Sequence, residues 1–366
     1  MSLLFRSYFI RRLALVIPTL LSILFLNFLL IQWVPGGPVE RMLAEIQGLS
    51  SESTSRFSGG NTDTLTSLGE NTSLYKGGKG LPPKLIKEIE AMYGFDKPFW
   101  TRFKNMLTKY LTGDLGKSYF KNETVWNLIK EKMPVSLSLG VWSTVLTYLI
   151  SVTLGILKAR RHRSFFDITT SFIVILGYAI PGFLFGIALI ILFAGGSFWS
   201  IFPLRGLSSS GFETLSFWGK CADYAYHMAL PLLTQVLGSF ASLTFLTKNA
   251  FLEELNKPYV MTAYAKGLSE RQVLWGHVFR NAVLVLVVGF PRAFLNLFFT
   301  GALLVEIIFS LDGLGYLGFN AAITRDYPLI FGTLYIFTLT SLILHIIGDW
   351  LYTKVDPRLS FKRQEA

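Results

Sequence analysis

Pro258-Tyr259-Val260-Met261-Thr262-Ala263-Tyr264-Ala265-Lys266-Gly267-Leu268-Ser269, followed closely by His277-Val278-Phe279-Arg280-Asn281-Ala282, lies between two long apolar runs. Pro258 to Lys266 reads as a short helix. Gly267 is placed to stop it, because glycine reaches the left-handed conformation that ends many helices. A second helical stretch then leads into the next apolar run. The whole is an amphipathic elbow between two hydrophobic segments, and its meaning depends on what those segments are.

Six such runs cover roughly residues 13–34, 135–157, 168–193, 228–247, 283–308 and 329–351. Each reaches the roughly 20 residues that cross about 30 Å of hydrocarbon. Lipid offers the backbone no hydrogen bonds, so runs of this length must be helices. Half of the 366 residues are hydrophobic (51%) and only 16% are charged, below the roughly 25% of a soluble domain. The fold class is therefore all-α integral membrane. Arg6, Arg11 and Arg12 precede a first run longer than a signal-peptide core and without a cleavage pattern, so an uncleaved first span is expected.

The net charge of +11 expresses topology rather than nucleic-acid binding, since no nucleic-acid module is recognisable. Lys158, Arg160, Arg161 and Arg163 follow span two, and Lys248, Lys257, Lys266, Arg271 and Arg280 follow span four. Lys354, Arg358, Lys362 and Arg363 close the chain, whereas the loops after spans three and five hold only Arg205, Lys220 and Arg325. Positive residues stay inside, so both termini are expected in the cytoplasm and Cys221 outside. The organisation expected is a cytoplasmic N-terminus and first span (1–34), an outer insert (35–134), spans two to six (135–351) and a cytoplasmic tail (352–366). Within the insert, the Ser/Thr/Gly-rich stretch 48–80 reads as a flexible loop. Residues 83–133 read as mostly helical, with an interruption at Gly113.

Several chemistries are excluded. Gly116-Lys117-Ser118 looks like the end of a phosphate-binding loop, but Leu111 stands where that loop needs a glycine. The four histidines show no metal-ligand spacing, a lone cysteine excludes an internal disulfide, and no catalytic constellation can be assembled. Gly182 and Gly186 form a small-residue spacing suited to helix packing. On span five, Arg292, Asn296, Thr300 and Glu306 fall on one polar face at 100° per residue. A buried arginine is costly in lipid, so these four are candidates for the wall of a translocation pathway.

The elbow resembles the cytoplasmic loop of ABC importer permeases, in the form carried by the dipeptide and oligopeptide subfamily: Thr262-Ala263, then Ala265-Lys266-Gly267-Leu268, then His277 with Arg280-Asn281-Ala282. It departs from the wider family in having Met261 where a glutamate is usual, and Val285 where a proline often follows. Pro35-Gly36-Gly37-Pro38, Gly113-Asp114-Leu115-Gly116-Lys117-Ser118, Glu306 with Phe309 and Gly313-Leu314-Gly315, Arg325-Asp326-Tyr327-Pro328 and Asp356-Pro357-Arg358 extend the resemblance along the chain, in the order of the B-type subunit. The insert at 48–80 is most similar to the microcin C branch.

That resemblance implies six transmembrane helices of the type I ABC importer permease kind, with a small helical periplasmic domain between the first two. It implies an inner-membrane importer of peptides, in which this chain is non-catalytic and forms half of the pathway. A second, C-type permease, cytoplasmic ABC ATPases (paired or fused) and a periplasmic peptide-binding protein are the implied partners, in a lipid bilayer and without nucleic acid. ATP and magnesium belong to the ATPases; no cofactor or metal is expected on this chain. The implied ATPase-coupling residues lie in the loop 248–282: Tyr259, Thr262, Ala263, Ala265, Lys266, Gly267, Leu268, His277, Arg280 and Asn281. The rival reading is a secondary transporter or channel working without an ATPase. It leaves the elbow unexplained.

Overall fold

The structure, a computed structural model, describes residues 3–33, 96–196, 198–295 and 302–355, together with Lys87, Glu90 and Ala91. It is helical throughout, and an isolated β-bridge between Lys117 and Thr124 is its only extended pairing among the described residues. The helices are α1 (Leu3–Trp33), α2 (Phe99–Leu111), α3 (Val125–Arg160), α4 (Phe165–Ala179), α5 (Gly182–Phe193), α6 (Phe217–Leu255), α7 (Pro258–Ala265), α8 (Glu270–Leu295), α9 (Ala302–Ile308), α10 (Leu314–Thr324) and α11 (Tyr327–Val355). Among the described residues, α3, α6, α8 and α11 are each long and apolar enough to cross a membrane, and the pair α4–α5 makes a fifth crossing if counted as one span.

Two elements differ from the sequence expectation. The run 168–193 is not one straight helix: α4 and α5 meet at 93°. Pro181 is the cause. It lacks an N–H and disfavours helical geometry in the residue before it, and Ile180 is extended at φ −84°, ψ 121°. The second run starts at Val125 rather than 135, since α3 continues through Pro134.

The chain forms two compact units. One comprises residues 1–16, 130–317 and 339–366, the other 17–129 and 318–338. In the larger unit, Leu139, Leu189, Met228, Leu230, Val305 and Phe309 form one apolar core. Gly186 of α5 lets α6 approach so closely that a Cβ there would lie 2.9 Å from Thr234 Cγ2, which is the packing role its spacing suggests.

The turn between α3 and α4 is built on charge. Lys158 is 0% exposed, and its ammonium donates to Asp167 O at 2.8 Å, Thr170 Oγ1 at 2.8 Å and Ser171 Oγ at 2.7 Å. The Asp167 carboxylate lies 3.0 Å from that ammonium, accepts both contacts of Lys248 Nζ from α6 at 2.8 Å, and accepts the Arg163 N–H at 3.1 Å. Every donor of Lys158 is used, which is the condition for burying a charge at tolerable cost. Two cations that the sequence reading assigned to topology alone are thus also structural.

In the smaller unit, α2 ends at Thr112 and Gly113 turns the chain at φ 78°, as the interruption expected there requires. Asp114 Oδ1 accepts the Gly116 N–H at 2.9 Å. The Ser118 hydroxyl donates to the buried Asp326, which also accepts the Tyr119 N–H at 3.2 Å and caps α11 through the Leu329 N–H at 3.4 Å. The motif that mimics a phosphate loop is therefore a structural clasp between two distant turns.

Candidate functional site

The elbow is a short helix set against a hydrophobic base. Pro258 occupies the first turn of α7, where its missing N–H is harmless. Val260 and Ala263 are buried with Ile156, Phe251, Val273, Leu274, Val278 and Ala282, while Leu268 and Tyr259 pack at the margin. At the C-terminus the Gly267 N–H bonds Tyr264 O at 2.9 Å and the Leu268 N–H reaches Ala263 O at 3.3 Å. This is the Schellman pair of bonds, with its usual apolar contact from Leu268. Gly267 sits at φ 82°, and a Cβ there would meet nothing within 4 Å. The demand for glycine is therefore a backbone demand alone.

Ser269 then starts α8 with a capping box: its hydroxyl accepts the Gln272 N–H, and Gln272 Oε1 accepts the Ser269 N–H at 2.9 Å. The next turn, Leu274–Val278, is a π-helix, a distortion frequent at functional sites. It carries His277.

A hydrogen-bond chain locks the elbow to its neighbours. Asn281 Nδ2 of α8 donates to Tyr259 OH at 3.2 Å, and Tyr259 OH donates to Glu254 Oε2 of α6 at 2.6 Å. Glu254 also accepts from Lys257. Burial first, then the bond to Glu254, pushes the Tyr259 phenol above its ordinary range, so it stays a donor. The elbow's carboxylate is thus Glu254, not a residue at the Met261 position. Its donors Lys257 and Tyr259 lie only three and five residues on; sequence reading missed it because Glu254 stands before the motif, at the end of α6.

The structure sorts the residues expected to couple. Tyr259, Ala263, Leu268 and Asn281 face the base, whereas Thr262, Ala265, Lys266, His277 and Arg280 face out. Beside the outward set lie Met261 (70% exposed), noted in the sequence only as a departure from the wider family, and two residues the sequence did not single out, Tyr264 (43%) and Trp275 (53%). The one signal available was an aromatic residue in a polar, turn-rich stretch.

The pathway face expected on span five fares differently. Asn296, Thr300 and the side chain of Arg292 lie outside the described residues. Glu306 is turned into the protein, at 0% exposed. Its Oε1 accepts from Ser136 Oγ at 2.7 Å and its Oε2 accepts the Tyr316 N–H at 2.7 Å. Ser136 Oγ in turn accepts the Leu314 N–H at 2.7 Å. The carboxylate thus satisfies free N–H groups at the start of α10, where the helix dipole favours an anion. Gly313 is required by the same packing, as a Cβ there would stand 2.2 Å from Glu306 Oε1.

The sequence profile described as "Binding-protein-dependent transport system inner membrane component" matches residues 151–361, which include the elbow, the Asp167 node and the Glu306 clamp. The chain belongs to this family. Its relatives include the "Peptidoglycan transport system permease protein YejB" of Agrobacterium fabrum, 52% identical over 98% of this chain and 100% of the relative. The "Inner membrane ABC transporter permease protein YejB" of Escherichia coli O157:H7 is 51% identical over 97% of this chain and 99% of its own. The "Oligopeptide transport system permease protein AppB" of Bacillus subtilis is 31% identical over 97% and 99%. Among solved structures, an inward-facing MetNI methionine ABC transporter overlaps 63% of this chain and 96% of its own, with TM-score 0.47 and 16% identity. Membership of this inner-membrane family removes the reading as a secondary transporter or channel, and it agrees with the four or five apolar crossings among the described residues.

Proposed function

We propose that this chain is the B-type permease of an ATP-driven peptide importer of the microcin C-like branch. It forms half of the pathway with a C-type permease. A periplasmic binding protein supplies peptide, and cytoplasmic ATPases carry the nucleotide and magnesium, so the chain itself catalyses nothing. In this reading α1 supplies the first of six spans, residues 35–134 are periplasmic, and both termini are cytoplasmic. Arg292, Asn296 and Thr300 keep their place as pathway candidates.

The observation that carries the reading is the outward face of α7. Met261, Thr262 and Tyr264 of α7 are exposed together with Lys266 at its end and with Trp275 and Arg280 of α8, and the opposite face of α7 is fastened to α6 and α8. An exposed apolar patch rimmed by polar groups marks a protein contact. A fastened helix can pass a push from that contact into the spans.

The test uses the whole importer. In a Cys221→Ser background, Met261→Cys is expected to crosslink to a cysteine placed in the cleft of the co-purified ATPase. Cells lacking this chain are expected to lose uptake of labelled alanine tetrapeptide and to regain it on complementation. Uptake that persists without the chain, or an ATPase that associates without touching position 261, would overturn the reading.

A further inference from the structure

In the smaller unit, α2 carries more apolar surface than its packing uses. Phe99 and Phe103 lie on Phe28 of α1, with ring centroids 5.1 and 5.4 Å apart, and Tyr110 lies on Tyr335 of α11 at 5.3 Å. A second stripe runs beside this packed face. At 100° per residue, Trp100, Leu107 and Leu111 share about 40° of arc, and Lys104 stands about 20° further on. Trp100 is 67% exposed and Leu111 75%, although the indole stacks on Phe25 of α1 at 5.9 Å.

The polar side of the same helix is basic. A cavity of about 650 Å³ opens there, between α2, the turn that follows it and the start of α11. Lys97, Lys104, Lys109 and Lys117 line it together with Arg102. Among the described residues, the four lysine ammoniums make no ion pair or hydrogen bond. Asp114 is the one carboxylate among the lining residues, and its Oδ1 already accepts the Gly116 N–H at 2.9 Å. What holds α2 also fixes its depth. Over Tyr327–Trp350, α11 is long and apolar enough to cross a membrane. α2 packs on its first turns, which lie at the edge of the hydrocarbon.

We propose that α2 lies in the membrane–water interface and binds an anionic phospholipid, with its lysines on the phosphate and Trp100, Leu107 and Leu111 on the acyl chains. This goes beyond the importer reading and does not depend on the cargo. A helix with a basic face and a Trp/Leu stripe is the form that seats in that layer, and tryptophan is enriched at headgroup level. Lys104 decides between a lipid and a protein partner, because it stands beside the apolar stripe and also lines the basic cavity. In a dry protein contact its ammonium would be buried with no carboxylate from the described part of this unit, at a high cost. At a lipid surface its stem lies along the chains and its ammonium rises to the phosphate. The remaining open lysines supply the preference for an anionic headgroup, since each basic group near such a surface adds to the attraction.

In a detergent-solubilised importer otherwise free of cysteine, with Cys221→Ser, a fluorescent label on Leu111→Cys reads lipid binding at the stripe. Phosphatidylglycerol is expected to shift its emission to the blue at lower concentration than phosphatidylcholine does. Lys104→Gln and Lys109→Gln are each expected to raise the phosphatidylglycerol midpoint about fivefold, the scale of one basic side chain at an anionic surface, and to leave the phosphatidylcholine midpoint in place. Equal midpoints for the two lipids, or a phosphatidylglycerol midpoint that neither substitution moves, overturn the headgroup assignment. A shift produced by inorganic phosphate alone, at matched ionic strength, shows a site for soluble anions and equally overturns it. In vesicles, a spin label at position 111 is expected to collide more with oxygen than with a water-soluble nickel chelate. A label on Thr101→Cys, on the polar flank, is expected to show the reverse. Exclusion of both reagents from position 111 shows a protein cover, and chelate access equal to that at position 101 shows open water; either result overturns the interfacial placement.

Discussion

Asp167 and the elbow helix α7 both gather polar residues near the ends of long helices, and they use them in opposite ways. Around Asp167 the bonds turn inward: two lysines, a main-chain N–H and two hydroxyls close on one another, and Lys158 is fully buried. Around α7 only one side is satisfied. Tyr259, Glu254 and Asn281 fasten the base, while Thr262, Lys266, His277 and Arg280 face out beside Met261 and Trp275. Internally completed polar groups hold the frame; outward ones await a partner. The contrast predicts which substitutions act on stability and which on coupling.

The largest loss is expected at Asp167. Asp167→Ala leaves two cations without their carboxylate, one of them fully buried, a situation that costs about 3–5 kcal/mol. The variant is expected to fail to accumulate in the membrane, measured by immunoblot of membrane fractions; normal accumulation would break the comparison. Glu306→Ala comes next, at about 3 kcal/mol for lost bonds to a charged acceptor and donors left unpaired. Its unfolding temperature in detergent is expected to drop while uptake per folded molecule holds. If Glu306→Gln keeps its stability and loses uptake, the carboxylate belongs to the pathway after all. Gly267→Ala should cost about 1–2 kcal/mol locally, too little to block insertion. Uptake is expected to fall more in Gly267→Ala than in Gly267→Asn, because asparagine tolerates positive φ. Gly267→Asp is expected to insert normally and to uncouple ATP hydrolysis from uptake.

What the sequence made legible was local. Gly267 as a helix stop, Gly113 as an interruption and the helical nature of the long runs all follow from single residues and their neighbours. The bend at Pro181 was hidden because both of its arms are apolar, so composition is continuous across a 93° turn. Glu306 was placed on a pathway face because helical periodicity knows only its own helix. Its real partners, Ser136 and the start of α10, are supplied by packing. Lys158 counted as a topological charge for the same reason. The outward face of α7 becomes visible only once the residues that are satisfied have been accounted for.

The smallest effect is expected where a salt bridge looks most like a link between the two regions. Arg160, at the end of α3 beside the Asp167 turn, holds Glu270 at the start of α8 with Nε to Oε1 at 2.7 Å. Both side chains are largely open to solvent, and a pair of that kind is worth about 0.2–1 kcal/mol, screened further by salt. The first turn of α8 does not depend on it, since Ser269 and Gln272 already close the capping box there. Arg160→Ala is therefore expected to leave the unfolding temperature, membrane accumulation and peptide uptake close to wild type, at low salt as at high. A loss of uptake with normal accumulation would mean that the Asp167 turn and the elbow move as one body through this bridge. The division between a closed frame and an open docking face would then have to be redrawn to include Arg160 on the coupling side.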